Sequence, residues 1–419
     1  MTLFLTTAIA SRRCVGVMAL IVVLLAGATA SAPSSPDHRA TPTHNGAAPD
    51  IAIRRIVLDH ELWRTDPTTE PYFRHLSRVL FDPVTHEYFV FDGGTTTFHV
   101  FSSTGVAKQT LELHGDGPGL ARGVVDTRLL PDGQIGLLTA MGPTVVRVRR
   151  NGEAVYDQPS ITPFYSDTQS LSCSYFFDYH DGHFVLSGQQ AVPGRSFLAT
   201  YDPQGGLRNE LLDLPAHSQV GQGFFDDHDD FLVCYKPWTL ASNGLIYHSV
   251  QRNGDGQYEI RAVDLDGRVA LVTSRQYEPR RRTDREIDET KAAHFGGYDA
   301  YLDFVDYGFD VVIPDIEPDI VRIEELGGRL WVETGRSRDD GDAVVYDVFE
   351  LDGGFVEQVA VSCLTRSIGR DALFFCGDTI VLGVGTYDAS LGSLGDSHDD
   401  LALRCYAFDH AGAGSGAQP

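Results

Sequence analysis

Six short units repeat along the chain from Arg78 onward, each an apolar strand, a tight turn and a second apolar strand. They are "RVLFDPVTHEYFVFD" from Arg78, "TRLLPDGQIGLLT" from Thr127, "SYFFDYHDGHFVLS" from Ser174, "TLASNGLIYHSV" from Thr239, "VRIEELGGRLWVET" from Val321 and "ALFFCGDTIVLGV" from Ala372. Each continues into a third strand closed by a turn, as in "FHVFSSTG", "VVRVRRNG" and "CYAFDHAG", and five of the six add a fourth, such as "VAKQTLEL" or "GFVEQVAV". Runs of β-branched and aromatic residues separated by turn residues are hairpin signals. A unit of this size buries its apolar face only against a neighbouring unit, so the repeat dictates the architecture.

The sixth unit ends in "CYAFDHAG" without its fourth strand, whereas "DIAIRRIVLDHEL", residues 50 to 62, is a strand without a unit. Placing that N-terminal strand in the last unit closes a ring and removes the open edges of a linear array. The expected fold is therefore all-β, a six-bladed β-propeller of four-stranded antiparallel blades over residues 51–409. A small helical insertion, 273–318, precedes blade five. Within it Thr283 and Glu286 have capping-box spacing, which predicts one or two short helices, either a lid over the channel mouth or a brace between blades. Turns such as "PDG", "HDG" and "LGG" keep one face minimal, while 213–233, 273–318 and 383–401 place every long loop on the other. Long loops on a rigid scaffold carry function, so this is the expected working face.

Ahead of the repeats, Arg12 and Arg13, an apolar run from Val15 to Ala26 and the small residues Ala28, Thr29 and Ala30 read as a signal peptide over 1–30, and thus as export to the periplasm or beyond. The run is shorter than the roughly 20 residues of a membrane span, so no integral span is expected in the mature chain. Residues 31–50, rich in Pro, Ser, Thr and Ala, read as a flexible linker, and 410–419 as a flexible tail. Cleavage at residue 30 removes two arginines and no acid, so the formal charge of −25 becomes more negative by two. Such a charge excludes nucleic acid and anionic membrane surfaces as partners. A monomer is expected. Cys173, Cys234, Cys363, Cys376 and Cys405 lack C-x-x-C spacing; an odd number leaves at least one thiol unpaired, and no pairing is specified.

Two constellations bear chemistry. "DDHDD", residues 226 to 230, offers Asp227, His228 and Asp229 as metal ligands, with an echo in "DSHDD" from Asp396. Carboxylates suit calcium, and an added imidazole suits zinc or manganese; consecutive residues diverge, however, so a solvated acidic loop is the competing reading. In the second, Arg78, Arg128 and Arg322 recur at the start of the innermost strands of blades one, two and five, with Lys236 and Tyr175 at comparable positions. Cations converging there can clamp a small anion; alternatively each pairs with a neighbouring acid such as Asp126 or Glu324. No G-x-S-x-G elbow or H-E-x-x-H motif occurs.

"HGDGPGLARGVVDTRLLPDG", residues 114 to 133, resembles the G-x-G-P-G loop of secreted bacterial six-bladed β-propellers of the NHL and TolB-like groups, and residues 277–289 and 327–356 are similar in style. Leu120 stands where those proteins carry an acid after G-P-G. The resemblance implies the fold rather than an activity, because the group includes lactonases, lyases and binding scaffolds. Two functions follow as expectations. One is an exported binding or scaffold propeller that engages a small anion or a partner protein on its loop-rich face. The other is a calcium-dependent lactonase- or esterase-type hydrolase with Asp126, Asp227, Glu324 and Asp371 as candidate ligands at the channel mouth.

Overall fold

The structure is a computed structural model; it describes residues 43–45, 53–69, 71–131, 133–139, 144–155, 172–190, 195–215, 224–226, 236–249, 256–295, 301–302, 305–306, 310–335, 343–364, 371–386 and 401–408. The expected signal peptide, the C-terminal tail, Asp227, His228 and Asp229, and the "DSHDD" echo all lie outside the described residues.

Three strands precede the repeats: β1 (Thr43–Asn45), β2 (Arg54–Leu58) and β3 (Glu61–Arg64). Blade one follows as β4 (Leu76–Asp82), β5 (Glu87–Asp92), β6 (Thr97–Phe101) and β7 (Ala107–Glu112). Blade two has β8 (Val124–Leu129), β9 (Gln134–Thr139) and β10 (Val145–Arg149). Among the described residues, its fourth-strand position holds a single bridge from Val148 to Ala154. Blade three is β11 (Ser172–His180), β12 (His183–Gln190), β13 (Arg195–Tyr201) and β14 (Leu207–Pro215). After β15 (Phe224–Asp226), blade four has β16 (Trp238–Leu240), β17 (Ile246–Ser249), β18 (Gln257–Val263) and β19 (Val269–Gln276). The insertion contributes helix α1 (Asp284–Phe295) and β20 (Asp310–Val312). Blade five is β21 (Ile320–Leu326), β22 (Arg329–Thr334), β23 (Ala343–Glu350) and β24 (Phe355–Cys363). Blade six has β25 (Ala372–Cys376), β26 (Thr379–Val384) and β27 (Ala402–Ala407).

The molecule is a six-bladed β-propeller. Strand β3 pairs antiparallel with β27 and completes blade six, so an N-terminal strand closes the ring; it is Glu61–Arg64, overlapping only the end of the expected stretch 50–62, whose middle forms β2 instead. Each blade buries its faces against two neighbours. Among the described residues an apolar cluster lies between each consecutive pair, and the one that joins Trp63, Phe374 and Cys405 to Tyr88 and Phe101 links blade six back to blade one. Every fully buried Phe or Leu side chain in these layers contributes about 1.5–3 kcal/mol relative to exposure. Cys363, Cys376 and Cys405 are buried within them.

The N-terminal segment does more than close blade six. Strand β2 adds in parallel to the outer edge of β24, and β1, within the stretch read as linker, adds in parallel to β19. The chain thus lies along the outer rim of blades four, five and six in turn, covering two edges that would otherwise stay unpaired. Asn45 fastens it: Nδ2 donates to Thr273 Oγ1 at 2.8 Å and to Gly353 O at 3.1 Å, and Oδ1 accepts from Phe355 N at 3.2 Å. Gly353 turns there with φ of 88°, and a Cβ would meet Leu271 at 2.9 Å, so both backbone sign and space require glycine.

Strands β15 and β20 pair in parallel, bringing together two of the long loops expected on the working face. Helix α1 starts with the expected capping box: Thr283 N donates to Glu286 Oε2 at 2.8 Å, and Glu286 N donates to Thr283 Oγ1 at 3.3 Å. Burial opposes ionisation of Glu286, but hydrogen bonds from Arg280 and Thr283 outweigh it and hold its carboxyl at about 2. The insertion is stitched across its base by Arg282 and Glu317, both buried and 3.0 Å apart. Thr283→Ala is expected to lower the unfolding free energy by about 1 kcal/mol, seen as a lower urea midpoint at unchanged slope; no shift would mean that packing alone sets this helix start. Among the described residues no helix is long and apolar enough to cross a membrane.

Candidate functional site

The innermost strands share a local device that sets the site. A register shift interrupts the pairing of the first two strands at the same place in four blades: Leu76/Arg78, Val124/Asp126, Ser174/Phe176 and Ile320/Arg322. An extra residue bends the strand and re-aims the side chains beyond it. The first position after the shift therefore carries Arg78, Asp126, Phe176 and Arg322. The same strand face two residues on carries Leu80, Arg128, Asp178 and Glu324. Blade four joins the series through Lys236, which bridges in parallel to Arg322 and accepts a hydrogen bond from Ile323 N at 3.1 Å.

These positions generate a charged ladder across four blades. Arg78 Nε lies 3.7 Å from Asp126 Oδ1, which also takes Arg128 Nη1 at 3.0 Å. The other oxygen of Asp126 accepts Phe177 N at 3.1 Å. Arg128 Nε reaches on to Asp178 Oδ1 at 3.2 Å, and Lys236 Nζ meets Asp178 Oδ2 at 3.0 Å. Lys236 is 7% exposed and sits 4.7 Å over the Trp238 ring. Arg128 is 9% exposed, and its Nη2 is buried with no hydrogen-bond partner among the described residues.

Three cations thus share two carboxylates, and the protonation equilibria register the imbalance. Burial and the charge of Arg128 push Lys236 down to about 8, with Asp178 opposing. Burial and Arg128 likewise lower Arg78. Burial works against ionisation of Asp178, but Lys236 and Arg128 prevail and hold its carboxyl at about 2. Blade five reverses the ratio. Arg322 binds Glu333 Oε2 at 2.9 Å and Glu324 Oε1 at 3.6 Å, and donates to Leu373 O at 3.1 Å and Tyr346 Oη at 3.4 Å. Burial notwithstanding, the two glutamates raise Arg322 above the ordinary guanidinium range. The eight charges balance as a set, but the surplus of cation lies on blades one to four and the surplus of carboxylate on blade five.

Of the residues singled out in the sequence, Arg78, Arg128 and Lys236 come together. Arg322 stands in the same ring but is engaged by two glutamates, and Tyr175 is buried at the bulge of β11. Arg78 and Arg128 each pair with Asp126, and Arg322 pairs with Glu324. Asp371 accepts Gly385 N at 3.0 Å and helps to shape blade six. Asp178, Glu333 and Tyr346 were missed. Asp178 was findable as the strand-face equivalent of Arg128 and Glu324; Glu333 is the direct cross-strand partner of Arg322 in β22.

No family model matches the chain, and no curated protein matches it. Among solved structures, it is similar to a Bacteroides fragilis protein provisionally named as exported, at 11% identity over 87% of this chain and 99% of that one, with a TM-score of 0.48. A second, from Bacteroides vulgatus and belonging to a family of unknown function, shares 11% identity over 84% and 97% at a TM-score of 0.49. A third is the calcium-binding protein regucalcin of Agrobacterium tumefaciens, with 12% identity over 87% and 95% at a TM-score of 0.39.

Proposed function

We propose that this chain is an exported binding propeller that holds a small anion at the cation-rich side of its channel, with Arg78, Arg128 and Lys236 as the binding groups. Export rests on the twin arginines, apolar run and small-residue cleavage pattern of residues 12–30. Anion binding rests on one observation above the others: the buried Arg128 Nη2 lacks a partner among the described residues, in a cluster where three cations share two carboxylates. An entering oxyanion satisfies that donor and relieves the repulsion that, after burial, depresses Lys236 and Arg78. A metal-dependent hydrolase would need carboxylates free to converge on one cation, whereas Asp126 already serves Arg128 and Phe177 N.

The test is a thermal melt and calorimetric titration of the secreted protein with phosphate, sulfate, acetate and lactate against chloride. A specific oxyanion raises the midpoint, because a ligand that binds only the folded state stabilises it by mass action. Arg128→Gln weakens that binding about tenfold or more, the factor for a lost charge-assisted hydrogen bond of about 1.5–3 kcal/mol. Lys236 is cationic below about 8, so affinity falls as pH rises through that value, and Lys236→Met removes this dependence. Identical melting points in chloride and in every oxyanion would overturn the reading. A rise with calcium that EDTA reverses would favour the hydrolase.

A further inference from the structure

We propose that Lys236 is a Schiff-base-forming amine, and that the channel takes α-oxo carboxylates whose carboxylate is held by Arg128 and Arg78. The inference rests on the anion-binding reading and deepens it to a substrate class and a covalent step.

The choice of residue is the first argument. Of the 33 lysines and arginines in the chain only Lys108, Lys236 and Lys291 are lysines. Every other cation of the channel cluster is an arginine, and an arginine can form the same ion pair with a carboxylate; what a guanidinium cannot supply is a nucleophilic lone pair. Lys236 is also the most buried of the three, with a side chain 7% exposed against 50% for Lys108 and 21% for Lys291.

Its surroundings are those that activate an amine. Desolvation and a neighbouring cation together make a lysine nucleophilic, and Lys236 has both, the ring of Trp238 on one side and Arg128 across Asp178. A value near 8 leaves about a tenth of the side chain as free amine at neutral pH, roughly 300-fold more than an ordinary lysine. Asp178, at 3.0 Å, fixes the direction of Nζ. Solvent reaches the cluster, since the side chains of Arg78, Asp178 and Glu324 remain 18%, 20% and 23% exposed.

Charge selects the class. Three cations on two carboxylates accept one further negative charge, so a carbonyl compound that carries a carboxylate balances the ladder where a neutral aldehyde or ketone leaves it unchanged. The unprotonated Nζ attacks the oxo carbon, the carbonyl π pair passes to oxygen, and that oxygen takes a proton from water. The carbinolamine then loses this oxygen as water. Overall, amine, α-oxo acid and one proton give a protonated imine and one water, with no change of oxidation state. The iminium keeps the positive charge that Lys236 contributes to Asp178.

The experiment incubates the secreted protein with pyruvate, lactate or acetone, reduces with cyanoborohydride and maps the lysines by mass spectrometry, with thermal melts in parallel. The expected result is an adduct on Lys236, heavier by pyruvic acid less one oxygen atom, at least about tenfold above that on Lys108 or Lys291. Lactate competes for it, acetone does not form its counterpart, and Lys236→Arg abolishes it. Equal labelling of all three lysines, or none, overturns the proposal. If pyruvate and lactate raise the melting point without an adduct, the anion site stands and the amine chemistry falls; if neither anion has any effect, both fall.

Discussion

Replacing Asp178 with asparagine is expected to lower the unfolding free energy by about 3–5 kcal/mol, the cost of leaving buried charges without their partner. Among the described residues Asp178 links Arg128 and Lys236, at 3.2 Å and 3.0 Å, and it therefore joins blades two, three and four. Asparagine matches its shape and keeps one acceptor, so the loss is one of charge rather than of packing. The pH dependence separates the two. The folded-state value of about 2 lies below the unfolded 3.8, so ionised Asp178 contributes stability that is fully present above about 4 and lost as pH falls toward 2. The difference corresponds to about 2 kcal/mol, and the asparagine variant lacks that component. Adding Lys236→Met to Asp178→Asn should recover part of the loss, because one stranded charge is then removed. Urea melts of the four proteins at pH 3 and 7 decide it; a cost under about 1 kcal/mol for Asp178→Asn would show that water, not the carboxylate, solvates the two cations.

The same ladder shows what could be read in advance. Repeat counting was sufficient for blade number and for closure, because a hairpin unit must bury its faces against neighbours whatever its exact sequence. The capping box of α1 was legible because it involves residues three apart. The inner-strand bulges were not. A bulge is a disagreement of register between two strands, and nothing local in "HLSRVLF" announces that Ser77 is the extra residue. Without the bulges, Arg128 could not be aligned with Asp178 across a blade boundary fifty residues away. Strand β1 was equally hidden: Thr43–Asn45 has no apolar period, and its pairing is determined by the free edge of β19 and by the turn at Gly353. Nor did alternation flag Arg275 and Asp347, which sit buried among apolar strand residues as an ion pair between blades four and five, with Tyr258 donating to Asp347 at 2.6 Å.

Trp63→Ala is expected to cost about 3–5 kcal/mol, the range for truncating a large buried aromatic. The residue belongs to β3, the strand that completes blade six, yet its ring packs on blade one. It meets Tyr88 edge-on at 5.2 Å between centroids and stacks on Phe101 at 6.1 Å. The turn of blade one accommodates it through Gly105, whose φ is 77° and where a Cβ would lie 2.7 Å from the indole. One side chain thus couples the closing strand to the first blade. Its neighbour Leu62 is 45% exposed and provides the control, since Leu62→Ala removes a comparable backbone-neutral side chain from the same strand at a cost within about 0.5 kcal/mol. Limited proteolysis should show the consequence directly: in Trp63→Ala the segment from β1 to β3 becomes cleavable under conditions where the unmodified ring is resistant, because local opening follows the stability of the segment. Equal effects from the two substitutions would shift closure from β3 to β2, whose Leu58 is 1% exposed in the layer between blades five and six.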